Sequence, residues 1–143
     1  MSKVQEAVTR FQGCNCAQSI ISTYGPEVGM DKQKALQLAV AFGNGMGMGE
    51  TCGAVSGALM VLGLRHAGDD PCAKEAKGQA RQRAQAFAQS FAAVHGTVRC
   101  SALVGCDMGT AEGYEQARSQ NLFGTLCPKF VQTAAELLEA EAK

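Results

Sequence analysis

The sequence predicts an all-α protein, a compact single-domain helical bundle of about five to six helices, with a glycine-rich loop running into a buried central helix. Three observations predict it. Alanine, glutamine, leucine and glutamate abound, and no long stretch alternates with the two-residue period of a strand. Apolar residues recur instead at steps of three and four. The chain of 143 residues suits one domain with a core of its own, and no repeat, low-complexity tract or linker divides 1–143.

The elements follow in order. Val4, Ala7, Val8 and Phe11 share a face, which predicts a helix over 2–11 that Gly13 ends. Asn15 reads as the cap of a second helix, with Gln18 three residues on completing a capping box and Cys16 in the first turn. Ile20, Ile21 and Tyr24 supply its apolar side, and Gly25-Pro26 stops it. Asp31 caps a third helix through 42, with Leu36, Ala39 and Val40 turned inward. The stretch 42–57, FGNGMGMGETCGAVSG, then carries four alternate glycines, Gly43, Gly45, Gly47 and Gly49, into Cys52. Thr51 reads as the N-cap of a fourth helix over 52–66, which would put Cys52 at the positive end of a helix, where a thiolate is stabilised. That helix is apolar nearly all round and so is the central element; Gly53 and Gly57, four apart on one face, would let another backbone lie against it.

The sequence AGDDP over 67–71 reads as a turn, and a fifth helix is expected over 72–94, with Ala76, Ala80, Ala84, Phe87, Phe91 and Val94 on one face and Gly96 ending it. Thr97 is placed to cap a short helix or turn holding Cys100, Leu103 and Val104. Residues 107–113 read as a loop followed by a turn of helix, and Leu122 and Phe123 as an apolar clip. The last helix starts at Cys127-Pro128, where proline's missing N–H costs nothing, and buries Phe130, Ala134, Leu137 and Leu138.

Composition excludes several functions. Thirteen basic and thirteen acidic side chains cancel, and there are no basic blocks and few aromatics, so neither nucleic acid nor an acidic membrane is an expected partner. The first 13 residues have no apolar h-region, and the longest apolar run, 54–64, is too short to span a bilayer. The expectation is a cytoplasmic protein without membrane insertion. The GNGMGMG loop lacks the lysine and the preceding strand of a phosphate-binding loop. The apolar central helix and a Met-bearing loop, Met46 and Met48, suggest a lid or a dimer contact, and a homodimer is expected.

Seven cysteines are the remaining signal. Their number is odd, and the expected reducing compartment argues against a disulfide framework. Cys16, Cys52 and Cys127 each fall at a predicted helix start, with Cys100 close to one, where thiol pKa values drop and free N–H groups point outward. Four sulfurs match the ligand count of a [2Fe–2S] or zinc site. No CxxC or CxxCH occurs, so the four would have to converge from distant parts of the chain. Cys14 either competes with Cys16 as a ligand or occupies the helix junction; Cys72 reads as an exposed bystander; Cys106 is a candidate resolving thiol for Cys100. His66 and His95 sit at helix ends and read as caps, and Glu50 as a solvated loop carboxylate.

The chain resembles the redox-active protein family named for the cysteine pattern C_GCAxxG_C_C. The signature CGAxxG is Cys52-Gly53-Ala54-Val55-Ser56-Gly57; the upstream NCAQ is Asn15 through Gln18; the run FGxGMGxGxxCGA covers 42–54; CPKFV opens at Cys127. The resemblance implies an all-helical fold, a redox role, and Cys16, Cys52, Cys100 and Cys127 as the functional set, with Cys14, Cys72 and Cys106 as extras. A similar module accompanies haem in split-Soret cytochromes, where an iron–sulfur cluster is associated with it, which implies a [2Fe–2S] cluster here by analogy.

Three readings follow. In the first, the four thiolates hold an iron–sulfur cluster for electron transfer to a redox partner protein, with Gly45, Gly47, Gly49 and Gly53 bringing backbone N–H groups to the cofactor. In the second, no metal is bound and Cys52 exchanges disulfides with Cys16, Cys100 or Cys127. In the third, zinc staples the bundle. An electron-transfer module fits the residues better than an enzyme with acid–base chemistry.

Overall fold

The computed structural model describes residues 1–141 and is all-helical. The first three helices are α1 (Lys3–Arg10), α2 (Cys16–Tyr24) and α3 (Lys32–Ala39). Then come α4 (Gly53–His66), α5 (Lys74–His95), α6 (Cys100–Val104), α7 (Ala111–Ser119), α8 (Leu122–Thr125) and α9 (Cys127–Glu141). The expected five to six helices are therefore too few: the region between α5 and α9 holds three short helices, among them a full α7 capped by Thr110, where a loop and one turn were expected.

Local chemistry sets the first helices. Ser2 accepts from the Gln5 N–H (3.1 Å) and the Gln5 side chain returns the bond to the Ser2 N–H (3.0 Å). Asn15 and Gln18 form the same reciprocal box at α2, at 2.8 and 3.0 Å. Each box satisfies two N–H groups that a helix start leaves free. Asp31 caps α3 by accepting from the Lys34 N–H at 3.0 Å. That helix stops at Ala39, three residues short of its expected end, and a 3₁₀ turn follows over Val40–Phe42. The Asn15 amide donates to the Val40 carbonyl (3.0 Å), so the turn is tied to the start of α2. The tighter turn also rotates Val40 outward; it is 62% exposed, where an inward position was expected, and Ala35 is buried in its place.

The core is built where α2, α4 and α9 meet, with α1, α3 and α5 packed around them. Ile20, Ile21 and Tyr24 of α2, Val55 and Val61 of α4, and Val131 and Leu138 of α9 are buried there. Gly53 and Gly57 do what their spacing predicted. A Cβ at Gly57 would lie 2.9 Å from the Ala17 carbonyl oxygen, and one at Gly53 would lie 2.9 Å from the Ala17 nitrogen. Helix α2 thus rests backbone to backbone on α4, which only glycine permits. Helix α5 differs from expectation: it starts two residues later, and of its apolar stripe only Phe87 and Phe91 are buried, while Ala80 and Val94 are exposed. Among the described residues there is no strand, and no helix is long and apolar enough to cross a membrane.

One isolated backbone bridge matters for the site. Thr51 pairs antiparallel with Arg99. The Cys52 N–H donates to the Val98 carbonyl at 2.7 Å, and the Cys100 N–H to the Glu50 carbonyl at 2.6 Å. Two cysteines 48 positions apart are held side by side by backbone alone.

A four-cysteine chamber at converging helix starts

The bridge corrects the expected cap of α4. Thr51 is drawn into extended pairing and makes no cap; Cys52 itself takes the N-cap position, with φ −51° and ψ 134°. Its side chain makes no capping hydrogen bond; the Val55 N–H donates to the Cys52 carbonyl at 2.9 Å, and the sulfur sits beside the positive start of the helix. The expected cap of α6 shifts likewise: Arg99 is the N-cap, and Thr97 accepts from the Arg99 N–H at 3.1 Å. Cys16, Cys100 and Cys127 are the first residues of α2, α6 and α9.

These four sulfur-bearing residues line one small chamber together with Asn44, Gly53, Leu103, Val104 and Phe130. All four cysteines are buried, Cys52 most deeply at 3% exposure. The chamber volume is about 10 Å³, room for one water at most. The Cys16 thiol lies within hydrogen-bonding reach of Cys127 and of Cys52, and these contacts, with burial, hold its proton on. Cys52 shifts the opposite way. The Cys16 hydrogen bond, helped by the Ala54 and Val55 N–H groups, lowers its pKa against the opposing effect of burial. Burial, then the charges of Cys52 and Cys127, push Cys100 up to about 12. The chamber therefore holds one acidified sulfur, Cys52, beside two thiols, Cys16 and Cys100, that keep their protons.

The glycine loop forms one wall. Gly45, Gly47 and Gly49 all have positive φ (62°, 70° and 72°). So do Asn44 and Met46 (55° and 62°), a conformation that costs a non-glycine residue roughly 1 kcal/mol or more. The loop closes tightly: a Cβ at Gly45 would fall 2.9 Å from the Cys100 Cβ, and one at Gly53 would fall 3.1 Å from the Cys16 Cβ. Gly49 backs onto Ser101, whereas nothing lies within 4 Å of a Cβ placed at Gly47. Of the four glycines expected beside a cofactor, Gly45 and Gly53 abut the cysteines directly.

The other candidates lie elsewhere. Cys72 is exposed, and Cys106 is buried outside the chamber lining. His66 pairs with Glu141 at 2.5 Å, and His95 bonds Thr133 at 2.7 Å between the Phe91 and Phe130 rings. The Glu50 carboxylate faces Arg99 at 3.6 Å; its carbonyl, holding the Cys100 N–H, is the part that shapes the site. Asn44 was not singled out in the sequence, although an asparagine before a run of glycines is a residue type suited to its left-handed conformation.

Residues 14–141 match the family described as "Putative redox-active protein (C_GCAxxG_C_C)". The chain belongs to this family. No curated protein and no solved structure matches it. The four cysteines that the resemblance implied as the functional set, Cys16, Cys52, Cys100 and Cys127, are the four that line the chamber.

As a donor set the chamber matches an iron–sulfur cluster in number and softness: four buried sulfurs at helix starts. In volume it does not, since about 10 Å³ admits no cluster unless the sulfurs move apart. Among the described residues, no three Cys, His, Asp or Glu side chains are set to hold a single ion, so the zinc staple draws no support from the geometry.

Proposed function

We propose that this C_GCAxxG_C_C protein is an electron-transfer module in which Cys16, Cys52, Cys100 and Cys127 hold an iron–sulfur cluster of the [2Fe–2S] type. The observation that supports this reading is the convergence of four sulfurs from four separate helix starts on one buried chamber. A disulfide couple needs two sulfurs, and core packing needs none at helix starts. Bound there, a cluster supplies reversible one-electron transfer. The chain's own contribution is a low-dielectric cage. The Ala54 and Val55 N–H groups stabilise negative charge at Cys52, the loop over 43–49 excludes water, and the bridge fixes Cys52 and Cys100 relative to each other. Protein purified and reconstituted without oxygen should be coloured and contain about two iron and two sulfide per chain. Colourless, iron-free protein after reconstitution rules this reading out.

A second reading rests on the Cys16 contacts. A protonated thiol hydrogen-bonded to an acidified one is the resting arrangement of a dithiol couple. On oxidation, the Cys52 thiolate and the Cys16 thiol would lose two electrons and one proton to an external disulfide, which is reduced to two thiols with one further proton from solvent. In metal-free protein, the sign of the shifts predicts the titration. Cys52, its pKa depressed, should become thiolate below the ordinary cysteine range near 9.0, and Cys100 should resist until about 12. The charged Cys52 stabilises the fold fully above the ordinary cysteine range, and that contribution is lost as pH falls through its lower folded pKa. Thiolate absorbance in the ultraviolet checks this: the earliest step should vanish in Cys52→Ser, and a first step at or above 9 in wild type contradicts the acidified sulfur.

A further inference from the structure

An open groove of about 710 Å³ lies against the chamber. Cys16, Asn44 and Cys127 line both spaces and form the partition between them. Cys52 and Cys100 line only the chamber. The groove is thus the side on which the buried sulfurs come nearest to solvent. Its walls are aromatic: Phe11 and the pair Tyr114 and Phe123, whose ring centroids are 5.3 Å apart at 44°. Its polar groups are uncharged: the amides of Gln12 and Asn44, those of Asn15 and Gln18, which are engaged at the start of α2, the Tyr114 hydroxyl and the Cys14 thiol; among the described residues the lining carries no charged side chain.

We propose that this groove binds a neutral quinone-class molecule. The volume falls within the roughly 300–1,000 Å³ of small-molecule sites. Phe11, Tyr114 and Phe123 offer ring faces and edges for a flat conjugated ring. The amides supply hydrogen bonds to carbonyl oxygens. A lining without cations disfavours nucleotide cofactors, whose phosphates need positive partners or helix N-termini. The floor of the groove is sulfur, so a ring seated there is next to the redox centre.

With the site as free thiols, the exchange balances without another reactant. One S–S bond forms between Cys16 and Cys52, the couple of the metal-free reading, with loss of the Cys16 proton and of the proton that Cys52 carried or gave to solvent. The two electrons and two protons pass to the two ring oxygens, and the quinone leaves as hydroquinone. This step rests on the metal-free reading above; occupancy of the groove does not.

Tetramethyl-1,4-benzoquinone is the probe of choice, because it has no ring C–H at which a thiol can add. Titrated into the full chain without oxygen, it should shift the backbone amide resonances of Phe11, Tyr114, Phe123 and Gly124 saturably. Tyr114→Ala, at a side chain already 40% exposed and so tolerant of truncation, should weaken binding about tenfold. Cys52→Ser, which lies outside the groove lining, should bind as wild type does and produce no hydroquinone. Saturable binding by wild type without hydroquinone supports the groove and overturns the dithiol step alone. No saturable shift, shifts confined to other surfaces, unchanged binding in Tyr114→Ala, or tighter binding of flavin mononucleotide at the same residues overturns the proposal.

Discussion

Cys52→Ser should abolish the redox chemistry of the chain while leaving its fold intact. Serine is the favoured residue at a helix N-cap, where its oxygen can accept from N–H groups of the first turn, and Cys52 already holds that position. The substitution is nearly isosteric, and the Cys52 backbone keeps its 2.7 Å bond to the Val98 carbonyl. Helix α4 therefore starts as before, and the melting temperature should move little. The chemistry does not survive. A serine hydroxyl stays protonated at neutral pH, is a hard donor to iron, and forms no disulfide. Bound iron after reconstitution should fall at least about tenfold, the scale reached by losing even the groups behind a ligand. Cys106→Ser is the control, since Cys106 is buried at 7% exposure but lies outside the chamber. It should keep the iron content of wild type. Equal iron and equal thiol titration in wild type and Cys52→Ser would remove the four-cysteine chamber as the functional centre.

What could be read from the sequence follows the range of the forces involved. The capping box at Asn15 and Gln18 places Cys16, and the proline after Cys127 places the start of α9; both signals lie within four residues of the sulfur they position. The Gly53 and Gly57 pair announced a close backbone approach, which α2 supplies. Thr51 misled because its local preference for a helix cap lost to a partner 48 residues away: pairing with Arg99 leaves Cys52 as the cap. No local rule holds that information. The premature end of α3 has the same cause, since the Asn15 amide takes the Val40 carbonyl from across the fold. Helix α7 was missed because its apolar signal is weak; of its nine residues only Gly113 and Ala117 are buried. Asn44 escaped notice because its role depends on which two spaces it separates, a property of the assembled structure.

The convergence of the cysteines depends on how closely α2 can lie on α4, and Gly57→Ala tests that. A Cβ at position 57 would sit 2.9 Å from the Ala17 carbonyl oxygen and 3.1 Å from the Ala17 Cα. Both atoms belong to the backbone of α2, so no side chain can rotate away; the helix itself must move. Overpacking of a core costs about 1–3 kcal/mol, and a backbone obstacle places Gly57→Ala toward the upper end. For a chain of this size that lowers the melting temperature by about 5–10 °C. Helix α2 carries Cys16, so the displacement should also disturb its contacts with Cys52 and Cys127 and raise the pH at which the first thiolate appears. Gly63→Ala is the matched control on the same helix. Nothing lies within 4 Å of its added Cβ, so the higher helix propensity of alanine should stabilise the protein by about 0.5–1 kcal/mol. The two substitutions add the same methyl group with opposite expected signs, and the sign depends only on whether α2 passes over that position. If Gly57→Ala melts at or above the wild-type temperature, α2 does not rest on α4, and Cys16 has no structural reason to meet Cys52.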